Sequence, residues 1–280
     1  MVDYSHFSSG RSSRPFAVIL GVNEVASAIA VHLDRSGWSA ALSRDSNPPV
    51  YRRGMSFHDA LFGDRAMIAA ISGERAETGL EVLAAVSRPD CVAVTTLGLL
   101  DLLVLRQLDL VIDARLQPFA LRPDLRNLAR LTIGVGPGFD DKLNCDVAVP
   151  LGQPAPVKLA GGATEDSAAG SKNFVFAHRR GSWRTAVDLG SRAFRGFVVG
   201  HVGGEPLAAA ADGILIGIVR DGTEVVEGDV LAEVDPRTRQ AAWTGMDATG
   251  RLTAKAVMRA LQKNAAPAPK RSAVIVQEAR

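Results

Sequence analysis

The alternation of short apolar runs with helical periodicity constrains the fold of this chain more than any other feature. Phe16–Leu20 has the pattern of a buried strand and is followed at once by Gly21. Apolar residues then recur at helical spacing over Val25–Arg35, and Trp38–Leu42 again has the pattern of a strand. A strand, a glycine turn, a helix and a second strand within about 30 residues are typical of a mononucleotide-binding βαβ unit.

Strands and helices alternate in the same way farther along the chain. The predicted strands are Ala66–Ile71, Asp90–Thr95 and Leu110–Ile112, and the predicted helices are Glu77–Val86 and Leu99–Arg106. Such alternation is typical of a mostly parallel sheet. We therefore predict an α/β domain over residues 16–150, with a Rossmann-like parallel sheet and helices on both of its faces.

The glycine fingerprint of the first turn is incomplete. Asn23 stands where a dinucleotide-binding turn has its close-approach glycine, and its side chain takes space that a pyrophosphate needs. At the end of the second strand, Ser43 and Arg44 replace the acid that usually holds a ribose 2′-hydroxyl. We expect a changed ligand that contacts Gly21 and Asn23, and NADP rather than NAD if a dinucleotide binds.

A second group of candidate residues lies within the stretch from Val111 to Val149. Asp113 and Arg115 follow a strand, and the next strand runs into a loop that contains Gly134, Gly136 and Gly138. Glycines let the backbone approach a ligand and expose N–H groups, so this loop is a candidate anion cradle. A tight turn without a ligand explains the same spacing equally well.

Four more residues are candidate ligand contacts, each with a structural alternative. Arg52 and Arg53 precede a predicted helix that Ser56 would cap, and they either bind an anion or are solvated. Thr96 follows the strand that ends at Thr95. Cys145 follows the glycine loop and is either a ligand contact or a buried structural residue.

The second half of the chain differs in character. Residues 151–172 are rich in proline, glycine, alanine and serine and are predicted to be a linker. Residues 173–262 are predicted to be a mainly β barrel-sandwich-like domain of the lipoyl/biotinyl-like type, closed by a helix at Leu252–Leu261. Its signature is an Asp-Gly turn at Asp221 followed by a predicted strand Glu224–Val234. No lysine lies at the hairpin tip, so we expect neither lipoyl nor biotin.

Composition excludes several classes of partner. The 280 residues are 47% hydrophobic and 22% charged with a net charge of +2, which gives no electrostatic case for nucleic acid or an anionic membrane. The two cysteines are too few for a disulfide scaffold, and no apolar run reaches the length of a membrane span. We expect a cytoplasmic protein, with flexible tails at residues 1–15 and 263–280. Assembly into a homo-oligomer stays open.

Five segments together resemble a known family. They are Leu20–Ser27, Val50–Phe62, Val111–Arg115, Ile133–Phe139 with Cys145 and Asp146, and Asp212–Arg237, in this order. The set resembles the selenium-dependent molybdenum hydroxylase accessory proteins of the YqeB type, which are related in function to the xanthine dehydrogenase accessory factors. The resemblance implies a Rossmann-like first half, a barrel-like second half, a molybdopterin-type cofactor and a client molybdenum hydroxylase as partner.

Three hypotheses of function follow. In the first, the chain binds or inserts molybdenum cofactor without turnover of its own, with Arg115 on a phosphate, Asp113 orienting it and Cys145 near the molybdenum. In the second, the first βαβ unit serves an NADP-dependent oxidoreductase. In the third, the chain is a non-catalytic interaction protein whose Rossmann half is an empty scaffold.

Overall fold

An eight-stranded sheet forms the first half of the molecule. The structure, a computed structural model, describes residues 14–44, 47–117, 121–153 and 173–264. Neighbouring strands are parallel except β3 and β4, and the order across the sheet is β3-β4-β5-β2-β1-β6-β7-β8. The strands are β1 Phe16–Leu20, β2 Ser39–Ser43, β3 Ala66–Ile68, β4 Ile71–Arg75, β5 Cys91–Thr95, β6 Leu110–Asp113, β7 Leu131–Val135 and β8 Val147–Val149.

Helices cover both faces of this sheet, as the sequence predicts. The helices are α1 Glu24–Arg35, α2 Gly79–Val86, α3 Leu99–Leu103 and α4 Ala248–Asn264. Alternate side chains of β1 point to opposite faces, so that Ile19 packs in the core with α1 and α4 while Val18 packs in the core with α2 and α3. None of the helices in the described part of the chain has both the length and the hydropathy that a bilayer span requires.

Three local predictions in this half differ from the structure. The single strand predicted at Ala66–Ile71 is a hairpin, because Ala69 and Ala70 turn the chain with φ angles of 51° and 70°. The helix expected after Ser56 is a 3₁₀ turn over His58–Phe62, with Phe57 rather than Ser56 at its N-cap position. The Ser56 hydroxyl donates to the carbonyl of Arg53 and accepts a hydrogen bond of 3.4 Å from the N–H of His58, the first residue of the turn.

The second half consists of two four-stranded antiparallel sheets, in the orders β13-β12-β10-β15 and β11-β14-β16-β9. Their shared core contains Trp183, whose indole N–H donates to the Val219 carbonyl at 3.0 Å. The lipoyl/biotinyl-like type stays a prediction. The strands are β9 Phe174–Phe176, β10 Gly181–Arg184, β11 Arg192–Ala193, β12 Val198–Val202, β13 Glu205–Ala208, β14 Gly213–Ile218, β15 Glu224–Val225 and β16 Val230–Asp235.

The predicted strand Glu224–Val234 is therefore two strands in different sheets. Gly228, with a φ angle of +88°, lies in the turn between them, and β15 pairs with β10 while β16 pairs with β14. The last helix also differs from its predicted place. It packs on α1, where a Cβ on Gly250 would lie 3.1 Å from that of Ala28, rather than closing the β-rich half. Of the predicted linker and tails, residues 154–172, 1–13 and 265–280 lie outside the described part.

The segment between β2 and β3 joins the two halves. Arg52 forms a bidentate pair with Glu233 of β16, with distances of 2.8 and 2.9 Å from Nε and Nη2 to the carboxylate oxygens. Its Nη1 lies 3.2 Å from Asp247, just before α4. Arg53 donates to the Ile218 carbonyl and to the Asp59 carboxylate, both at 2.8 Å. The sequence predicts that Arg52 and Arg53 either bind an anion or are solvated. In the structure, both instead contact carboxylates and a carbonyl of the protein itself.

We predict that Arg52→Met lowers the free energy of unfolding by about 3 kcal/mol, since removing one partner leaves mostly buried carboxylates without a cation. Urea unfolding followed by tryptophan fluorescence measures the change. The control is Arg179→Met, which removes an exposed pair with Glu205 and is expected to cost about 1 kcal/mol or less. Equal losses in the two variants would contradict an anchoring role for Arg52.

Glu24, at the start of α1, gives a prediction of the pH dependence. Burial raises its pKa above the ordinary 4.5, and the nearby Arg52 charge opposes this only in part. The folded state therefore binds its proton more tightly than the unfolded state, so this contribution to stability is present below pH 4.5 and is lost as the pH rises through the raised pKa.

We accordingly expect Glu24→Gln to raise the melting temperature by a few degrees at pH 8 and by less at pH 5. Glu77→Gln, at an exposed carboxylate, is the matched control and should change neither value appreciably. A lower melting temperature of Glu24→Gln at pH 8 would show that the buried carboxylate is stabilising, against this prediction.

Candidate functional site

The carboxyl ends of the parallel strands meet beside β1. The chain passes from β1 to β2 on one side and reaches β6 on the other, so that the strand order reverses between β1 and β6. Ligands of open α/β sheets bind in the crevice at such a reversal. The predicted contacts at Gly21, Asp113 and Thr96 all follow or end strands at this edge.

The first turn is closed by the protein's own side chain. Asn23 caps α1, and its Oδ1 accepts hydrogen bonds from the N–H groups of Val25 and Ala26 at 3.0 and 2.9 Å. Its Nδ2 donates to the Ala114 carbonyl at 2.8 Å. A Cβ on Gly21 would lie 2.8 Å from that same carbonyl oxygen, and its φ angle is +113°. Gly21 and Asn23 thus join β1 to β6, and the helix N–H groups that usually cradle an anion are occupied.

Asp113 and Arg115 form a closed pair at the end of β6. The carboxylate of Asp113 is fully buried and accepts from the backbone N–H and Nε of Arg115 at 3.1 Å and from its Nη2 at 2.6 Å. The pair places a guanidinium at the edge of the sheet. Its charge is balanced by the carboxylate, so Arg115 can orient a ligand but contributes little uncompensated positive charge.

Packing explains the shape of the glycine loop. A Cβ on Gly134 would lie 2.1 Å from the ring of Phe139, which folds back over the strand. The N–H of Gly136 donates to the Val149 carbonyl at 2.9 Å, so it does not face a ligand. Gly138 has a φ angle of +84° and accepts at its carbonyl from the Asn144 side chain at 3.0 Å. These contacts favour the tight-turn interpretation over the anion cradle.

Neither Cys145 nor Thr96 lines a cavity at this edge of the sheet. Cys145 is fully buried, and burial raises the pKa of its thiol, which keeps the sulfur protonated and a weak metal ligand. Thr96 is exposed beyond β5. Within the described residues, no group of three or more histidine, cysteine or carboxylate side chains could hold a metal ion.

A cavity of about 370 Å³ opens at this edge of the sheet, and we call it the edge cavity. Half of its ten lining residues are leucines, which come from the end of β1 and from the segments after β5 and β6. Two guanidinium groups, those of Arg44 and Arg115, supply its charge. The lining residues are Leu20, Ser43, Arg44, Gly98, Leu99, Leu100, Arg115, Pro123, Leu125 and Leu128.

Arg44 has no acidic partner among the described residues that surround the edge cavity. Its guanidinium lies 5.7 Å from the centre of the Phe62 ring, and no hydrogen bond or ion pair joins it to a described part of the chain. The sequence alone places Arg44 directly after the second strand, and this position predicts contact with a phosphorylated ribose. The sequence does not mark the leucines after β5 and β6 as cavity residues, because a leucine that lines a cavity and a leucine that packs in a core have the same apolar pattern in the sequence.

A hydrogen-bonded acid–base pair exists nearby but outside the edge cavity. His58 lies 3.1 Å from Asp59 through its Nδ1, and burial lowers the pKa of the imidazole. Burial opposes ionisation of Asp59 as well, but His58, Arg53 and Arg220 together hold the pKa of this carboxyl below its ordinary value. Neither His58 nor Asp59 lines the edge cavity. The geometry of the edge cavity therefore supports ligand binding more than proton transfer to a ligand.

No protein-family model matches the chain, and comparison with curated proteins gives a remote relative. The chain is 26% identical over 273 residues to the uncharacterized protein YqeB of Escherichia coli (strain K12), and the match covers 89% of this chain. It covers 48% of that relative, so the chain spans about half the length of the protein it matches. This similarity agrees with the YqeB-type resemblance and carries no information on a molybdenum role.

Similar solved structures are remote. They include the ectoine utilization protein EutE (DoeB) from Ruegeria pomeroyi, whose apo structure has a TM-score of 0.23, 14% identity and coverage of 79% of this chain and 86% of its own. The product-bound form has a TM-score of 0.21, 22% identity and coverage of 31% and 24%. A succinylglutamatedesuccinylase/aspartoacylase from Rhodobacter sphaeroides has a TM-score of 0.22, 20% identity and coverage of 30% and 29%. Scores this low support no argument about this chain.

Proposed function

We propose that the edge cavity binds a phosphorylated compound with a flat ring, and that the chain delivers this compound to an enzyme instead of converting it. The observation that carries the proposal is Arg44, a cation without an acidic partner in the described residues, beside apolar walls. The leucine walls suit a planar ring, and the guanidinium suits a phosphate.

A molybdopterin-type cofactor belongs to this class of ligand, because it combines a pterin ring with a phosphate. In this proposal Arg44 and Arg115 hold the phosphate side of the ligand and the leucine walls contact the ring. When bound, the cofactor would supply a dithiolene that carries molybdenum. Cys145 has no part in the proposal, because its thiol is fully buried and its pKa is raised.

A client molybdenum hydroxylase is the partner that this proposal implies. The β-rich half offers an apolar surface where Phe194 and Phe197 are about half exposed and Val198 is 41% exposed. Exposed apolar patches of this kind are typical of protein-binding surfaces.

NADP binding is the second candidate, since Arg44 follows β2 where an arginine accommodates a 2′-phosphate. The capping of α1 by Asn23 argues against it, because the pyrophosphate of a dinucleotide would compete with that side chain for the same N–H groups. An NADP-dependent oxidoreductase would show NADP binding that Arg44→Ala weakens.

We predict that the protein purified from cells that make molybdenum cofactor releases a pterin on denaturation, in near-stoichiometric yield. Fluorescence and mass spectrometry of the released compounds measure it. Arg44→Gln should lower the yield about tenfold, the effect of one lost charge-assisted contact. Arg126→Gln is the control for the loss of a positive charge at this end of the chain's sheet half, because Arg126 pairs with Asp124 and does not line the edge cavity.

Release of NADP alone would instead support the oxidoreductase. Release of neither compound, repeated after molybdenum cofactor has been added back, would contradict the proposal and favour a non-catalytic interaction protein. Melting curves of each variant establish that it is folded before its yield is compared.

A further inference from the structure

A second cavity, of about 330 Å³, lies where the sheet half meets the β-rich half, and we call it the junction cavity. One wall comes from the segment between β2 and β3, and the other from the residue before β10 and the turn after β14. Arg44 lines this cavity as well as the edge cavity. The lining residues are Arg44, Asn47, Phe62, Arg180, Arg220, Asp221, Gly222, Thr223, Glu224, Val225 and Val226.

Three guanidinium groups face the junction cavity. Those of Arg44 and Arg180 have no acidic partner among the described residues, whereas Arg220 lies 2.6 Å from Asp64. Arg44 and Arg220 both lie against the ring of Phe62, at 5.7 and 4.3 Å from its centre. Cation–π contacts of this kind hold a guanidinium in place while its N–H donors stay available.

Two carboxylates also line the cavity, and one of them is already engaged. Asp221 accepts from the Thr185 N–H at 2.9 Å and from Arg184 at 3.4 Å. Glu224 is exposed and has no partner in the described chain. Among the described residues of the lining, two cations lack an acidic partner and one carboxylate is free, so the cavity attracts anions.

We propose that the junction cavity is a phosphate-binding subsite, held by Arg44 and Arg180, for the terminal phosphate or diphosphate of a ligand whose ring lies in the edge cavity. The part concerning the ring rests on the proposed function. Two guanidinium groups on opposite walls present several N–H donors, which match a tetrahedral phosphate or a diphosphate better than a single carboxylate. Because Arg44 belongs to both cavities, one extended ligand can occupy them together.

Inorganic pyrophosphate tests the subsite without a ring, so the test does not depend on the edge cavity. Isothermal titration of the full chain should detect pyrophosphate binding that weakens as the salt concentration rises. Arg180→Gln should weaken it about tenfold, and Glu224→Gln should strengthen it several-fold by removing a like charge. Arg179→Gln is the matched control, because Arg179 neighbours Arg180 in sequence but pairs with Glu205 and does not line the cavity.

The proposal is overturned if pyrophosphate does not bind, or if Arg180→Gln and Arg179→Gln weaken binding equally. All three substituted residues are exposed, and the melting temperature of each variant shows whether it is folded. Pyrophosphate binding with the predicted pattern, in a protein that releases no pterin or nucleotide, would keep the subsite and reject the proposed function. Release of a pterin from a protein that does not bind pyrophosphate would keep the proposed function and reject the subsite.

Discussion

The bidentate ion pair between Arg52 and Glu233 joins the parallel sheet to the β-rich half, and much of the remaining geometry depends on it. Arg52 follows β2, Glu233 lies in β16, and Asp247, the second partner of the same guanidinium, precedes α4. A mostly buried cation requires partners, so its position holds the last strand and the start of the last helix near the sheet. The last helix then packs on α1 and completes the layer that covers one face of the sheet.

The same connecting segment creates the surroundings of the candidate site. Phe62 ends the 3₁₀ turn over His58–Phe62, and the guanidinium groups of Arg44 from the sheet half and Arg220 from the β-rich half both lie against its ring. One ring therefore contacts a guanidinium group from each of the two walls of the junction cavity. The edge cavity belongs to the sheet alone, whereas the junction cavity exists only because the two halves meet.

Local sequence patterns predicted the layers of the sheet half well and its turns less well. Apolar periodicity identified β1, α1 and β2, since it reports which side chains are buried. It did not separate β3 from β4, because the alanines at the turn, Ala69 and Ala70, are apolar like the strands around them. The division of Glu224–Val234 between two sheets has another cause, since each part pairs with a strand that lies elsewhere in the sequence.

The sequence by itself determined the α/β alternation, the burial of the central strands and the unusual Asn23 in the first turn. Only the tertiary structure decided which arginines are free to bind an anion. Arg52, Arg53 and Arg44 all follow β2, yet within the described residues the first two are paired and Arg44 has no acidic partner. The reason is that the partner of Arg52 lies 181 residues away in sequence, and no local pattern reports a contact across that separation.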